Sequence, residues 1–253
     1  MSSLKGVYWD LDGTLANTEL EAHLPAFNLA FNDFGLNWKW DTSYYIDLLK
    51  INGGKNRISH FSKIINEYIS DDLVISIHQR KQYHYLENIK KNTVHLKTGV
   101  MRLINELFEK KVRQFIVTSS SRKQVDLLIE YLFPDLNPFE FIISSDDVKY
   151  HKPNPLPYLK AIKLSGIENN NSVVFEDSNP GIKSSLAANL PTIYVPSNIP
   201  TVIDKQIKLD CILDSLGDFN KVANVIKGPK LNKNYVDYSF LNNFLTSFCN
   251  AKY

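Results

Sequence analysis

Residues 7–15 read Val7-Tyr8-Trp9-Asp10-Leu11-Asp12-Gly13-Thr14-Leu15. Val7-Tyr8-Trp9 is apolar without alternation, the pattern of a strand buried on both faces in a parallel sheet. Two carboxylates one residue apart follow it directly. Ligands of a parallel sheet bind outside the carboxyl ends of its strands, where Asp10 and Asp12 would lie. Carboxylates this close repel each other unless a cation lies between them or one is protonated. A hard cation such as Mg2+ takes oxygen ligands and keeps room for water and a substrate phosphate. Gly13 allows a tight turn that brings backbone amides near an anion. A polar turn that caps a helix is the plainer reading of the same residues.

Outward from this stretch, further short apolar runs read as strands: Phe115-Ile116-Val117, Phe139 to Ile143, Val173-Val174-Phe175, Thr192 to Val195 and, more weakly, Asp210 to Leu213. Between them lie helical spacings. Met101, Ile104, Leu107 and Phe108 form one face, Val125, Leu128, Ile129 and Leu132 another, and Ile182, Leu186 and Leu190 a third. Strands alternating with helices predict an α/β fold, a doubly wound parallel sheet with helices on both faces. Between Trp9 and Phe115 the pattern is helical only. Leu20, Leu24, Phe27, Phe31 and Phe34 share a face with Pro25 in or near a first turn, Tyr45 to Leu49 and Ile58 to Tyr68 follow, and Asp71 reads as the N-cap of a fourth helix. The expected organisation is therefore a core at 1–16 and 93–227, an inserted helical cap at 17–92, and a C-terminal helical extension at 228–253 that packs on the core.

The 253 residues carry 29 basic and 27 acidic side chains, a net charge of +2. A nucleic-acid binder usually shows a basic excess or stripe, and this chain shows neither. The two cysteines, Cys211 and Cys249, form no CxxC pair, so a disulfide framework or zinc knuckle is not supported. No apolar run reaches the roughly 18–20 residues of a membrane span, and the N-terminus has no signal-peptide core. A soluble, cytoplasmic, monomeric protein with a small-molecule partner is the expectation.

Three later strand ends carry polar residues. Thr118-Ser119-Ser120-Ser121 offers hydroxyls and amides at a strand-to-helix junction, suited to a phosphate group and equally to a helix cap. His151-Lys152-Pro153-Asn154-Pro155 holds one ammonium in a stiff, extended backbone. Glu176-Asp177-Ser178 adds a second carboxylate pair, with Ser178 placed to cap the next helix. Nucleophile, hydroxyl, lysine and acid, each after a different strand and in this order, resemble the four motifs of the haloacid dehalogenase-like hydrolase superfamily. The helical insert right after the first motif resembles the subgroup of phosphoglycolate phosphatases, β-phosphoglucomutases and CbbY proteins. Phe27-Asn28, Gly35-Leu36, Trp38-Lys39-Trp40-Asp41, Tyr45 and Gly53-Gly54-Lys55 with Arg57 resemble the CbbY pattern, whose members dephosphorylate xylulose-1,5-bisphosphate. Two positions depart from the relatives: Asn17 stands where many carry an acid, and Leu156 replaces the acid of K-P-x-P-D.

The resemblance implies roles residue by residue. Asp10 would be the nucleophile and Asp12 the general acid and base. Ser119, the Ser120 amide and Lys152 would hold the phosphoryl oxygens. Mg2+ would be bound by Asp10, the Asp12 backbone carbonyl and Asp177, with Glu176 ordering the shell. Glu19, His23, Tyr45, Gly54, Lys55 and Arg57 would recognise substrate from the cap, the Gly53-Gly54 turn and its two cations suiting a second phosphate. A β-phosphoglucomutase-like mutase, a phosphoglycolate phosphatase, a haloacid dehalogenase and a non-catalytic sugar-phosphate binder remain alternatives.

Overall fold

The computed structural model describes residues 3–51, 53–91, 94–199 and 201–250. The chain forms two compact units, residues 1–16 with 96–253, and residues 17–95. The second boundary expected from sequence, between 92 and 93, lies outside the described residues.

The first unit is built on seven strands: β1 (Gly6–Trp9), β2 (Arg113–Val117), β3 (Phe141–Ile143), β4 (Ser172–Glu176), β5 (Thr192–Tyr194), β6 (Cys211–Leu213) and β7 (Val225–Lys227). Their order is β3-β2-β1-β4-β5-β6-β7. All neighbouring pairs are parallel except β6 and β7. In the register, Trp9 stands opposite Ile116 of β2 and Phe175 of β4. The residues that follow β1, β2 and β4 therefore emerge at one edge of the sheet. The strand order reverses at β1, which makes the gap between β1 and β4 the switch point where such sheets bind ligands.

Burial explains the strands. All four residues of β1 and all five of β4 are buried. Trp9 stacks on Phe175 at 4.5 Å, and Tyr8 on Phe115 at 5.1 Å. Helices α5 (Val100–Glu109), α6 (Arg122–Leu132), α7 (Leu156–Ser165), α8 (Asn179–Ala187) and α9 (Tyr238–Asn250) belong to this unit, and the four helices that precede them in the chain to the other. The buried stripe of α5 is Val100, Leu103, Ile104 and Leu107. Met101 and Phe108, read from sequence as part of that face, stand 40% and 54% exposed. At 100° per residue the buried stripe is centred between Val100 and Leu107, and Met101 and Phe108 fall roughly 90–110° from that centre, beyond Ile104 at its edge. Strand β7 was not expected: three residues, partly or fully exposed, leave no periodicity to read. Helix α9 buries Phe240, Leu241, Phe244, Leu245 and Phe248, and it packs against α5 and β4.

The second unit holds a π turn (Glu19–His23), α1 (Leu24–Asp33), α2 (Thr42–Leu48), α3 (Gly54–Ile64) and α4 (Asp71–Lys90). Its core gathers Phe27, Phe31, Trp38, Trp40, Tyr45, Leu48, Ile58, Val74 and Ile77. Asn28 ties Trp40 into it, donating to the Trp40 carbonyl and accepting from the Trp40 N–H, both at 2.8 Å. Pro25 sits in the first turn of α1, where its missing N–H costs no helical bond. The cap of α4 is Ser70 rather than Asp71: Ser70 is extended and accepts the Leu73 N–H at 3.2 Å. Asp71 then occupies the first turn, where a carboxylate favours the helix dipole.

Candidate active site

Four backbone segments at the carboxyl edge of the sheet supply the polar residues of the first unit. Asp10 follows β1 with 7% of its surface exposed. Lys152, on the segment between β3 and α7, donates from Nζ to Asp10 Oδ1 at 2.7 Å, to Glu176 Oε1 at 2.6 Å and to the Val117 carbonyl at 2.8 Å. Glu176 ends β4 wholly buried and also accepts the Tyr158 hydroxyl at 2.6 Å. Asp177 follows it, and carboxylate oxygens of Asp10, Glu176 and Asp177 lie within 4.8 Å of one another. The Asp12 carboxylate is turned to the Ser120 hydroxyl, which donates to Oδ2 at 2.6 Å. The Ser120 amide donates to Thr118 Oγ1 at 3.0 Å, and Ser119 beside it is exposed.

Two glycines let this assembly close. Gly13 has φ +85°, and a Cβ there would fall 2.1 Å from Asp177 Oδ2. Gly181, in the first turn of α8, brings that helix so near Glu176 that a Cβ would fall 1.9 Å from Oε2. Ser178 caps α8, accepting the Gly181 N–H at 3.1 Å.

Electrostatically the cluster is short of positive charge. Burial pushes Asp10 well above the usual carboxylate range; Lys152 offsets this in part, and Glu176 and Asp177 add to it. Burial, then Glu176, raises Asp177 to about 7 against the pull of Lys97 and of the Ser197 hydrogen bond. Burial works against the Lys152 ammonium, but Asp10 and Glu176 outweigh it and hold it charged. Lys97 is lowered to about 8, burial prevailing over Asp177 and Asp10. Three buried carboxylates facing one bonded lysine form an oxygen donor set that a divalent cation would relieve, so the residues present fit Mg2+.

The recognition candidates lie in the second unit. Tyr45 donates its hydroxyl to Glu19 Oε2 at 2.5 Å. His23 Nδ1 meets Lys81 Nζ at 2.5 Å, and its ring stacks on Tyr85 at 4.3 Å. Arg57 donates from Nε to the Ile51 carbonyl at 2.9 Å and lies 6.0 Å from the Tyr45 ring centroid. Gly54 opens α3 against α4, where a Cβ would stand 2.8 Å from the His78 ring. Lys55 is exposed. His78 is driven down to about 4 by burial and then by the charges of Lys81, Lys55, His23 and Arg57.

Sequence reasoning missed Lys97, Tyr158, Ser197, His78 and Lys81. Lys81 was findable: Val74, Ile77, Lys81 and Tyr85 share one stripe of α4, and a lysine on an apolar stripe that is 4% exposed is a signal. Tyr158 reads as core until its hydroxyl partner is known. Lys97 and Ser197 are loop residues without a pattern.

A family model described as haloacid dehalogenase-like hydrolase matches residues 7–195, from β1 to just past β5. The chain belongs to that family. Within it the protein is of the CbbY type, a phosphatase. It is 37% identical over 196 residues to protein CbbY of Rhodobacter capsulatus, covering 77% of this chain and 86% of that one. It is 33% identical over 222 residues to a plasmid-encoded CbbY of Cupriavidus necator, covering 85% and 87%. Among solved structures, an Asp-to-Asn variant of CbbY from Rhodobacter sphaeroides in complex with xylulose-1,5-bisphosphate superposes with a TM-score of 0.71 at 28% identity, covering 86% of this chain and 96% of that one. In this haloacid dehalogenase-like hydrolase, the acidic cluster stands at the sheet's switch point, and no helix among the described residues is long and apolar enough to cross a membrane.

Proposed function

We propose that this protein is a Mg2+-dependent phosphatase of a small sugar bisphosphate, xylulose-1,5-bisphosphate foremost, working through an aspartyl-phosphate on Asp10. The observation that carries the chemistry is the buried group in which Lys152 bonds both Asp10 and Glu176, with Asp177 alongside. The bisphosphate rests on the cations gathered around His78 in the second unit.

In this reading an Asp10 carboxylate oxygen attacks phosphorus in line as the bond from phosphorus to the sugar oxygen breaks. Protonated Asp12 gives its proton to that leaving oxygen. It then takes a proton from water, whose oxygen attacks the same phosphorus, and inorganic phosphate leaves as Asp10 is restored. Ser120 holds the Asp12 carboxylate for both transfers. Lys152 and Ser119 steady the phosphoryl oxygens as charge develops on them. Asp10, Asp177 and the Asp12 carbonyl would hold Mg2+, Glu176 ordering its surroundings; when bound, the ion supplies charge neutralisation at the phosphoryl group. Glu19, His23 and Tyr45 recognise sugar hydroxyls, and Gly54, Lys55 and Arg57 recognise the phosphate that is not cleaved. The enzyme is read as cytoplasmic and monomeric.

The test is free-phosphate release with Mg2+ across mono- and bisphosphorylated sugars. One phosphate released per sugar bisphosphate, at the highest kcat/KM of the panel, supports the reading. Isomerised sugar phosphate with little free phosphate would instead make the protein a mutase. Equal turnover of all esters would remove the bisphosphate assignment.

A further inference from the structure

Lys97 lies just ahead of α5 and reaches two backbone segments that flank the acidic cluster. Its Nζ donates to the Gly13 carbonyl at 2.6 Å and to the Pro196 carbonyl at 2.7 Å. Its own N–H donates to the Leu15 carbonyl at 2.9 Å. Gly13 belongs to the turn that follows Asp12. Pro196 precedes Ser197, whose hydroxyl bonds the Asp177 side chain. These two segments close on Asp177 from either side: the Cβ position of Gly13 lies 2.1 Å from Asp177 Oδ2 and 3.0 Å from Ser197 Cβ. One ammonium thus ties together the two pieces of backbone between which Asp177 is held. Taking a charge out of water is costly, and the two carbonyls and the field of Asp177 and Asp10 offset that cost only in part; an apolar side chain could fill the same space without it.

We propose that Lys97 is a positioning residue of the hydrolysis: by clamping the Asp12–Gly13 turn to the loop after β5, it sets Asp177 relative to Asp10. The proposal rests on the phosphatase reading of the cluster. Lys97 acts through backbone carbonyls, so it need not touch substrate. Its loss should fall on kcat, because a catalytic constellation shifted by an ångström binds its substrate and still reacts slowly.

The experiment measures kcat and KM of Lys97→Met, Lys97→Arg, Ser197→Ala and the Lys97→Met/Ser197→Ala double variant, on whichever phosphosugar the wild type turns over fastest. Circular dichroism at the assay temperature establishes that each is folded. Lys97→Met is expected to lower kcat by about 10- to 100-fold with KM within about threefold, the range for a small misplacement of catalytic groups. Lys97→Arg, which keeps the charge and the donors, should return kcat to within about fivefold of wild type. Ser197→Ala should cost less than Lys97→Met, and the double variant about as much as Lys97→Met alone, because both changes release the same carboxylate. The proposal is overturned if Lys97→Met keeps kcat within about twofold of wild type, if arginine rescues no better than methionine, or if the two losses multiply. Should Lys97→Met not fold, Lys97→Gln, which keeps a neutral amide donor group on a shorter chain, enters the same cycle and is read by the same multiplication rule. Phosphate release by the wild type alone tests the phosphatase reading; the ratios of variant to wild type test Lys97.

Discussion

In the proposed mechanism the chemistry turns on Asp10. Replacing it with asparagine leaves the volume nearly unchanged, removes the nucleophile, and takes from Lys152 one of its two carboxylate partners, leaving Glu176 and the Val117 carbonyl. Turnover of any phosphosugar should fall by at least about 1,000-fold, since losing a covalent nucleophile costs several kcal/mol of barrier. Steady-state assay of a variant shown folded by circular dichroism measures it, and activity within about tenfold of wild type would contradict the role. Tyr158 permits a subtler test. Its hydroxyl shares Glu176 Oε1 with Lys152, so Tyr158→Phe deletes one buried bond and no volume. Thermal unfolding should show a loss of about 1–2 kcal/mol, the cost of leaving a buried acceptor one donor short. The candidate residues of the cluster were legible in the sequence because four polar segments follow predicted strands in a fixed order, although each segment alone reads equally well as a turn or a helix cap. The Tyr158 contact was not, because a tyrosine on an inner helix face looks the same whether its hydroxyl has a carboxylate partner or not.

At the scale of the element, α3 and α4 of the second unit carry two predictions. If Lys55 and Arg57 grip the remote phosphate, alanine at either should lower kcat/KM for a sugar bisphosphate by about 1.5–3 kcal/mol, the range for hydrogen bonds to charged groups. Hydrolysis of p-nitrophenyl phosphate, which has no second phosphate, should hardly change; equal losses on both would reduce the pair to support of the unit. His78 on α4 makes the stability of this unit depend on pH. Its pKa of about 4 in the fold lies below the roughly 6.5 of an unfolded histidine. The unfolded chain therefore takes up the proton first, and the contribution is full above about pH 6.5 and lost as pH falls toward 4. After allowance for solvent screening at this partly exposed site, about 1–2 kcal/mol should disappear across that window. Urea unfolding followed by tryptophan fluorescence, wild type against His78→Gln, measures it: the variant should show a flatter dependence between those pH values. The existence of the helices here was legible from their period, but not their ends: the cap of α4 is Ser70 rather than Asp71, and α3 stops at Ile64, short of Tyr68. That His78 abuts Gly54 and lies in the field of Lys81, Lys55 and Arg57 depends on how α3 crosses α4, which no local pattern records.

For the molecule as a whole, the acidic cluster predicts that a divalent cation stabilises the fold. At Mg2+ a hundredfold above its dissociation constant, binding should contribute about 2.7 kcal/mol. For a chain of this size that raises Tm by about 5–10 °C. Calorimetry with and without Mg2+ checks it, and Asp177→Asn should abolish the shift. Chelation should abolish turnover, and full activity after exhaustive chelation would reject the metal assignment.

The sequence by itself determined the doubly wound sheet and the helical insertion after the first strand, and it singled out Asp10, Asp12, Lys152, Glu176 and Asp177 as candidates at the strand ends. Strand burial and the rule that ligands gather at strand carboxyl ends are local statements, readable from a few residues and their order. Only the tertiary structure decided which lone pairs meet. Lys97 reaches back 84 residues to Gly13 and forward 99 to Pro196, Ser120 reaches back 108 residues to Asp12, and Lys81 finds His23 across 58. A hydrogen bond is satisfied or lost over less than an ångström, and that precision comes from packing, which sums the whole fold rather than any window of it.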